Sequence, residues 1–276
     1  NSESFIENFM YATKDLKIDF FSFNNYRVKM KFLKNQAITT DDIEFEDLKT
    51  INVTMRKIAS NIKKNYSNKL EIIMSEWNLN PIPRDFLNDT CYASTNIIKN
   101  TIENFDIMDN MIFWTFTENK VGTDIFYGGL GLFTTNNLKK ASYNAFLLLN
   151  KLGAEIISKG ANHIVTEKQG AFQILLYDYE EPKNSNKSKE IQMSISNFTK
   201  GNYLITKYYL DESSGSIYDY WKTMGAPKKI TEDIYQLLKS REKMNMKVEE
   251  REIEEIFRIN EVLKTNGIAF YDIKKI

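Results

Sequence analysis

Three short apolar runs, each followed by a stretch with helical spacing, constrain the fold of the first half of this chain. Ile18-Asp19-Phe20-Phe21-Ser22-Phe23 reads as a buried strand. Residues 41–66 then read as one long amphipathic helix, with Leu48, Ile51, Met55, Ile58 and Ile62 three and four apart and Thr39 or Thr40 as its N-cap. The turn-like Ser67-Asn68 leads into a second strand over residues 70–74, and a helix follows over residues 88–104. A third strand over residues 111–116 precedes a helix over residues 140–152, with Gly153 expected as its left-handed cap. A further helix over residues 3–13 stands in front of the series. Repetition of this βα kind belongs to a doubly wound sheet or a β/α barrel.

The pattern changes after Gly153. Residues 164–166, 172–179, 191–195, 203–210, 246–250 and 268–273 form short, often alternating apolar runs between polar turns, as in an antiparallel β-sandwich. The expected class is therefore α/β plus all-β, with one domain over residues 1–153 and a second over residues 154–276. Residues 180–189 read as a mobile hairpin turn, and residues 230–240 as a short helix capped by Thr231. The charged run at residues 247–258 is expected to be a solvated face.

Composition narrows the chemistry. The chain has 276 residues, and its 37 basic residues equal its 37 acidic ones, so no net charge draws it to nucleic acid or to an acidic membrane. No apolar stretch is long enough to span a bilayer. Cys91 is the single cysteine, which rules out an internal disulfide and suits a cytoplasmic setting. At a helix start its thiol is expected to be buried and structural rather than activated. His163 is the single histidine and lies far in sequence from any catalytic pattern, so His-based nucleophilic catalysis and His/Cys zinc sites have no residues to use. No cofactor or metal is implied, and any catalysis falls to carboxylates.

Glu76 is the carboxylate that stands out. It ends the apolar run Leu70-Glu71-Ile72-Ile73-Met74-Ser75 and is followed at once by Trp77-Asn78. Function in β/α barrels gathers at such strand ends. A carboxylate can attack or stabilise an anomeric carbon, and an adjacent indole can stack on a pyranose. The plainer alternative is that Glu76 caps its strand or pairs with a lysine. Trp114 ends the third strand and is either the floor of a sugar pocket or a core aromatic. Trp221 reads as sandwich packing. Gly128-Gly129-Leu130-Gly131 lacks the spacing and the Lys-Ser/Thr of a phosphate-binding loop.

Several segments, in order, resemble glycoside hydrolase family 39. They are Asp19-Phe20-Phe21-Ser22-Phe23-Asn24-Asn25-Tyr26, Ser75-Glu76-Trp77-Asn78, Asn88-Asp89-Thr90, Trp114-Thr115-Phe116, Gly128-Gly129-Leu130-Gly131-Leu132 and Lys139-Lys140-Ala141-Ser142-Tyr143-Asn144-Ala145-Phe146. The best-known members are β-xylosidases, with a (β/α)8 barrel followed by a β-sandwich. The resemblance implies that this chain is the C-terminal part of such a protein, from barrel strand six onward, with Glu76 at the nucleophile position. It implies a substrate-binding set of Asn24, Tyr26, Asn78, Trp114, Glu118 and Tyr127. The family's Asn-Glu-Pro acid/base motif is absent here. Asn24 and Tyr127 stand where the family commonly has His, and only Glu118 remains where the family has an Asp and then a Glu pair.

A narrower resemblance, carried by Arg84-Asp85-Phe86-Leu87-Asn88-Asp89-Thr90-Cys91, Gly170-Ala171-Phe172-Gln173-Ile174-Leu175-Leu176-Tyr177 and Gly215-Ser216-Ile217-Tyr218-Asp219-Tyr220-Trp221-Lys222-Thr223-Met224-Gly225-Ala226-Pro227, is to the form of this fold in bacterial AraC-type transcription regulators. The expected function is a ligand-sensing or structural C-terminal region of such a regulator. The alternative is the C-terminal part of an active retaining glycosidase. On either reading the isolated chain is expected to be inactive. Its expected partners are the N-terminal part of the same protein and a sugar ligand. Neither DNA contact by this region nor a membrane is expected, and an oligomer remains compatible.

Overall fold

The computed structural model describes residues 2–30, 43–66, 69–81, 83–119, 124–181 and 187–276. The expected Thr39 or Thr40 cap, the Ser67-Asn68 turn and residues 182–186 of the polar connection lie outside the described residues. The chain divides into two compact units, Asn1–Pro83 with Asn100–Phe116 and Arg84–Lys99 with Thr117–Ile276.

The first unit holds helix α1 (Ser2–Thr13), strand β1 (Phe20–Tyr26), the short antiparallel pair β2 (Val28–Met30) and β3 (Ile43–Phe45), helix α2 (Leu48–Asn65), strand β4 (Glu71–Asn78) and strand β5 (Asn110–Phe113). Helix α3 (Cys91–Asn104) contributes its last residues. β1, β4 and β5 form a parallel sheet in the order β1-β4-β5. The apolar stripe of α2 behaves as its spacing requires, with Leu48, Ile51, Met55, Ile58 and Ile62 all buried. The helix is shorter than its pattern suggested. It starts at Leu48 with Asp47 at the N-cap, and Ile43–Phe45 is a strand instead. Ile-Glu-Phe fits either period over three residues, and strand pairing with Val28–Met30 decides the outcome.

The second unit begins with a 3-10 turn at Phe86–Asp89, which Asp85 caps by accepting from the Leu87 N–H. Helix α4 (Ala141–Leu149) precedes strands β6 (Glu155–Gly160), β7 (His163–Lys168), β8 (Ala171–Tyr177), β9 (Lys189–Ile195) and β10 (Gly201–Leu210). Helices α5 (Ile217–Thr223) and α6 (Glu232–Ser240) follow, then β11 (Asn245–Ile253), β12 (Phe257–Leu263) and β13 (Ile268–Lys275). Six strands pair antiparallel in the order β11-β10-β13-β8-β7-β6, and β12 pairs with β9 as a separate ribbon. Val165, Ile174, Leu176, Ile205, Ala269 and Ile273 from the sheet share one apolar cluster with Phe257, Ile259 and Leu263 from β12. Sheet and ribbon therefore bury a common core, which stabilises both.

Three local expectations need correction. The connection after β8 does not close a hairpin, because β8 lies in the six-stranded sheet while β9 pairs with β12. Gly153 does not adopt a left-handed cap conformation. It is needed for close approach, since a Cβ there would stand 2.0 Å from the Glu167 carbonyl oxygen of β7. Trp221 does not pack the sheet core; it lies against a cluster formed by Ile125, Phe126, Leu138, Ile217, Tyr218 and Leu238. The Thr231 cap is present, accepting from the Ile234 N–H at 3.4 Å.

Candidate active site

A single extra residue on β4 determines which way Glu76 faces. Phe21 lies opposite Ile72 and Phe23 opposite Met74, but Asn24 lies opposite Glu76. Ser75 is thus the additional residue of a β-bulge. The register against β5 breaks over the same stretch, between Met74 and Trp77. Strict alternation from the buried Ile72 and Met74 would turn Glu76 onto their face. The bulge reverses the parity, so Glu76 joins Asn24, and Trp77 takes the buried face with Asn25. The Asn25 amide donates to Met55 Sδ of α2, which marks that face as the helix-covered one.

The other face carries the polar constellation. The Tyr26 hydroxyl donates a short hydrogen bond to Glu76 Oε1. Partial burial and the neighbouring Glu76 carboxylate raise the Tyr26 pKa well above the usual phenol value, so the hydroxyl remains a proton donor. Ser75 Oγ donates to Asn24 Oδ1 at 2.9 Å and thereby fixes the Asn24 amide beside the acid. The Asn78 amide donates to the Trp114 carbonyl oxygen, and Asn78 Oδ1 accepts from the Leu79 N–H at 2.6 Å. Trp114 follows β5, its N–H bonded to the Trp77 carbonyl oxygen at 2.9 Å, and its indole is 46% exposed. The Trp114–Thr115 peptide bond is cis. Asn24, Tyr26, Glu76, Asn78 and Trp114 are thus linked by contacts within the first unit.

Trp77, the residue next to the acid, is not a sugar platform. It is 1% exposed and packs edge-on against Phe113 with ring centroids 5.2 Å apart. Neighbouring residues on a strand face opposite ways, so the indole flanking the acid in sequence points into the core.

Glu118 and Tyr127 lie in the second unit, in a buried ionic cluster. Lys140 Nζ donates to Glu118 Oε1 at 2.7 Å and to the Gly129 carbonyl oxygen at 2.8 Å. It also lies 2.6 Å from Asp89 Oδ1, and both side chains of that pair are 1% exposed. Asp89 Oδ2 in turn accepts from the Gly128 N–H at 2.7 Å, with Gly128 at a φ of 73° that favours glycine. A Cβ at Gly129 would meet Glu118 Cδ at 2.5 Å, so the glycine lets the loop close over the carboxylate. Burial raises the carboxyl pKa of both Asp89 and Glu118, and the adjacent Lys140 ammonium opposes that rise. Tyr127 is pushed up to about 12, mainly by burial and then by Glu118 and Asp89. Its hydroxyl donates to the Asn119 carbonyl oxygen. Lys140 escaped the sequence reading: as the second lysine of Lys139-Lys140, just before the helix, it resembles an ordinary solvated N-terminal lysine. Cys91 is buried at the start of α3, its pKa raised by burial and by nearby acids, which fits a structural thiol.

Residues 2–254 match the family model for glycosyl hydrolases family 39. Among relatives, a β-xylosidase of Geobacillus stearothermophilus is 24% identical over 100% of this chain and 56% of its own length. An uncharacterized HTH-type transcriptional regulator of Staphylococcus aureus is 21% identical over 85% of this chain and 33% of its own length. A monomeric β-xylosidase from Caulobacter crescentus CB15 superposes with a TM-score of 0.85 at 17% identity, covering 98% of this chain and 59% of that structure. The chain therefore has the mixed helix-and-strand fold of these glycosidases, and it spans about half the length of the β-xylosidases it matches.

Proposed function

The chain belongs to glycosyl hydrolase family 39, and on that basis we propose that Glu76 is the anomeric-carbon-facing carboxylate of a sugar site completed by a longer protein. The observation that carries this reading is the bulge at Ser75, which turns Glu76 onto the same face as Asn24, Tyr26 and the half-exposed Trp114. In a retaining glycosidase one carboxylate attacks the anomeric carbon while a second carboxyl group, about 5–5.5 Å away, protonates the leaving oxygen. Glu76 takes the first role. Tyr26, held protonated, orients the attacking oxygen and offers no competing negative charge. Asn24 stands as a hydroxyl ligand, the buried Asn78 holds the Trp114 backbone in place through its amide, and Trp114 offers an indole face for the sugar ring.

The general acid is assigned to the part of the full-length protein that precedes barrel strand six. β1, β4 and β5 would be strands six to eight of that barrel, within a domain over residues 1–153, and residues 154–276 would form its companion β-sandwich. Phe20 and Ile112, each 54% exposed on the sheet, supply apolar surface for the remaining barrel strands to cover. The experiment is turnover of an aryl β-xyloside by the full-length protein and by its Glu76→Gln variant. Turnover lost in the variant supports the assignment, and turnover unchanged in the variant rejects it.

A second reading is favoured by the similarity to HTH-type regulators over 85% of the chain. Here the same face senses a sugar for an AraC-type regulator instead of cleaving it. Asn24 beside Glu76, in place of a family imidazole, would trade catalysis for binding. Sugar-dependent DNA binding by a hydrolytically silent full-length protein would select this reading.

A further inference from the structure

A cleft of about 160 Å³ opens between β10, β11 and β13 of the six-stranded sheet and strand β12 of the ribbon. Its lining is basic although the chain as a whole is neutral. Lys207 and Lys247 stand directly opposite one another on β10 and β11, where like charges destabilise a sheet. Arg251 lies on the same face of β11 as Lys247, four residues along, and Arg258 comes from β12.

The available carboxylates do not neutralise this group. Glu261 is buried and already binds both the Lys207 ammonium and the Tyr271 hydroxyl. Glu249 pairs with Arg251 at 2.5 Å and stands 4.0 Å from Lys247. Arg258 makes no ion pair among the described residues. Lys207, Lys247 and Arg251 thus share two carboxylates around the opening, and Arg258, at an exposed position of β12, adds charge at its rim.

The aromatic faces are occupied as well. The Lys207 ammonium sits 4.2 Å from the Tyr209 ring centroid and 4.9 Å from that of Tyr271, and the Arg251 guanidinium lies 5.4 Å from the Phe257 centroid. A neutral sugar would find no free ring to stack on. The cleft offers N–H donors and positive charge instead. Its volume lies below the roughly 300–1,000 Å³ of sites for drug-sized ligands, yet it exceeds several waters at about 30 Å³ each. An oxyanion with a few waters fits, and guanidinium groups match phosphate oxygens in geometry.

We propose that this cleft binds a phosphate group, either free phosphate or the phosphate of a small ester. The site is independent of the Glu76 constellation and of any activity assigned to it.

The test is calorimetric titration of the 276-residue chain at low ionic strength. Inorganic phosphate, glucose 6-phosphate and neutral xylose are the three titrants. Saturable one-to-one binding of either phosphate, with none of xylose, is expected. Both Lys247→Ala and Arg251→Ala should weaken it about tenfold or more, the loss of one close charge-assisted contact. Those side chains are 69% and 48% exposed, so the variants should keep the fold, which circular dichroism checks. Tighter binding of the ester identifies a phosphorylated small molecule, and binding of inorganic phosphate alone identifies the free anion. A Lys228→Ala/Lys229→Ala control removes charge elsewhere on the surface. The proposal is overturned if no titrant saturates, if xylose binds equally, if the cleft variants bind as the parent does, or if the control weakens binding as much as they do.

Discussion

Replacing Lys140 with methionine should destabilise the chain strongly and in a pH-dependent way. Lys140 pairs with two buried carboxylates, Asp89 at 2.6 Å and Glu118 at 2.7 Å. Methionine keeps most of the side-chain volume, so the loss is electrostatic and not a cavity. Breaking a buried ion pair by removing one partner costs about 3–5 kcal/mol, because the charge left behind has no compensation. The Gly129 carbonyl oxygen also loses its donor. At about 2–4 °C per kcal/mol for chains of this size class, the melting temperature should fall by on the order of 10 °C. The pH dependence follows from the raised pKa values of Asp89 and Glu118. A carboxyl raised on folding holds a proton that the unfolded chain releases. Its contribution therefore favours the fold at low pH and is lost as pH climbs from the unfolded value through the raised one. Without the ammonium both carboxyls rise further, so the defect should be largest above neutrality and shrink on acidification. Urea unfolding of parent and variant at about pH 8 and about pH 5 measures this difference. A loss below about 1 kcal/mol at the higher pH, or a defect that grows on acidification, would refute the reasoning.

Further outcomes follow from other contacts. Gly153→Ala should cost about 1–3 kcal/mol by overpacking, because the new methyl would meet the Glu167 backbone and not a movable side chain, as thermal unfolding can check. Spectrophotometric titration should show no ionisation attributable to Tyr26 near the ordinary phenol value of about 10; a parent-minus-Tyr26→Phe difference at that pH would contradict its bond to Glu76. The isolated chain should not turn over an aryl β-xyloside, since general acid assistance worth about 10²–10⁴-fold is assigned to residues outside it. Turnover that disappears with Glu76→Gln would place the second carboxyl group within these residues.

Local pattern revealed the strands and helices whose own residues specify them. The stripe from Leu48 to Ile62 and the apolar run before Glu76 needed no distant partner to be recognised. What failed depended on pairing. β12 alternates cleanly between buried and exposed positions, but one inward position is Glu261, matched by Lys207 from β10, and its charge hid the strand. The bulge at Ser75 has no sequence signature of its own, yet it decides that Glu76 faces away from Ile72 and Met74 while Trp77 faces inward. Gly153 was recognisable as a required glycine, but only the β7 backbone explains the requirement. The Asp89–Lys140–Glu118 cluster joins residues far apart in sequence, so neither composition nor spacing could bring it into view.

Covalent trapping tests the sugar site most directly. A 2-deoxy-2-fluoro-β-xyloside with a good leaving group slows release of the glycosyl–enzyme ester in retaining glycosidases, so the nucleophile stays labelled. Peptide mass spectrometry of the treated full-length protein should place one pentosyl adduct on Glu76, and Glu76→Gln should carry none. An adduct on another carboxylate, with Glu76 unmodified, would contradict the account.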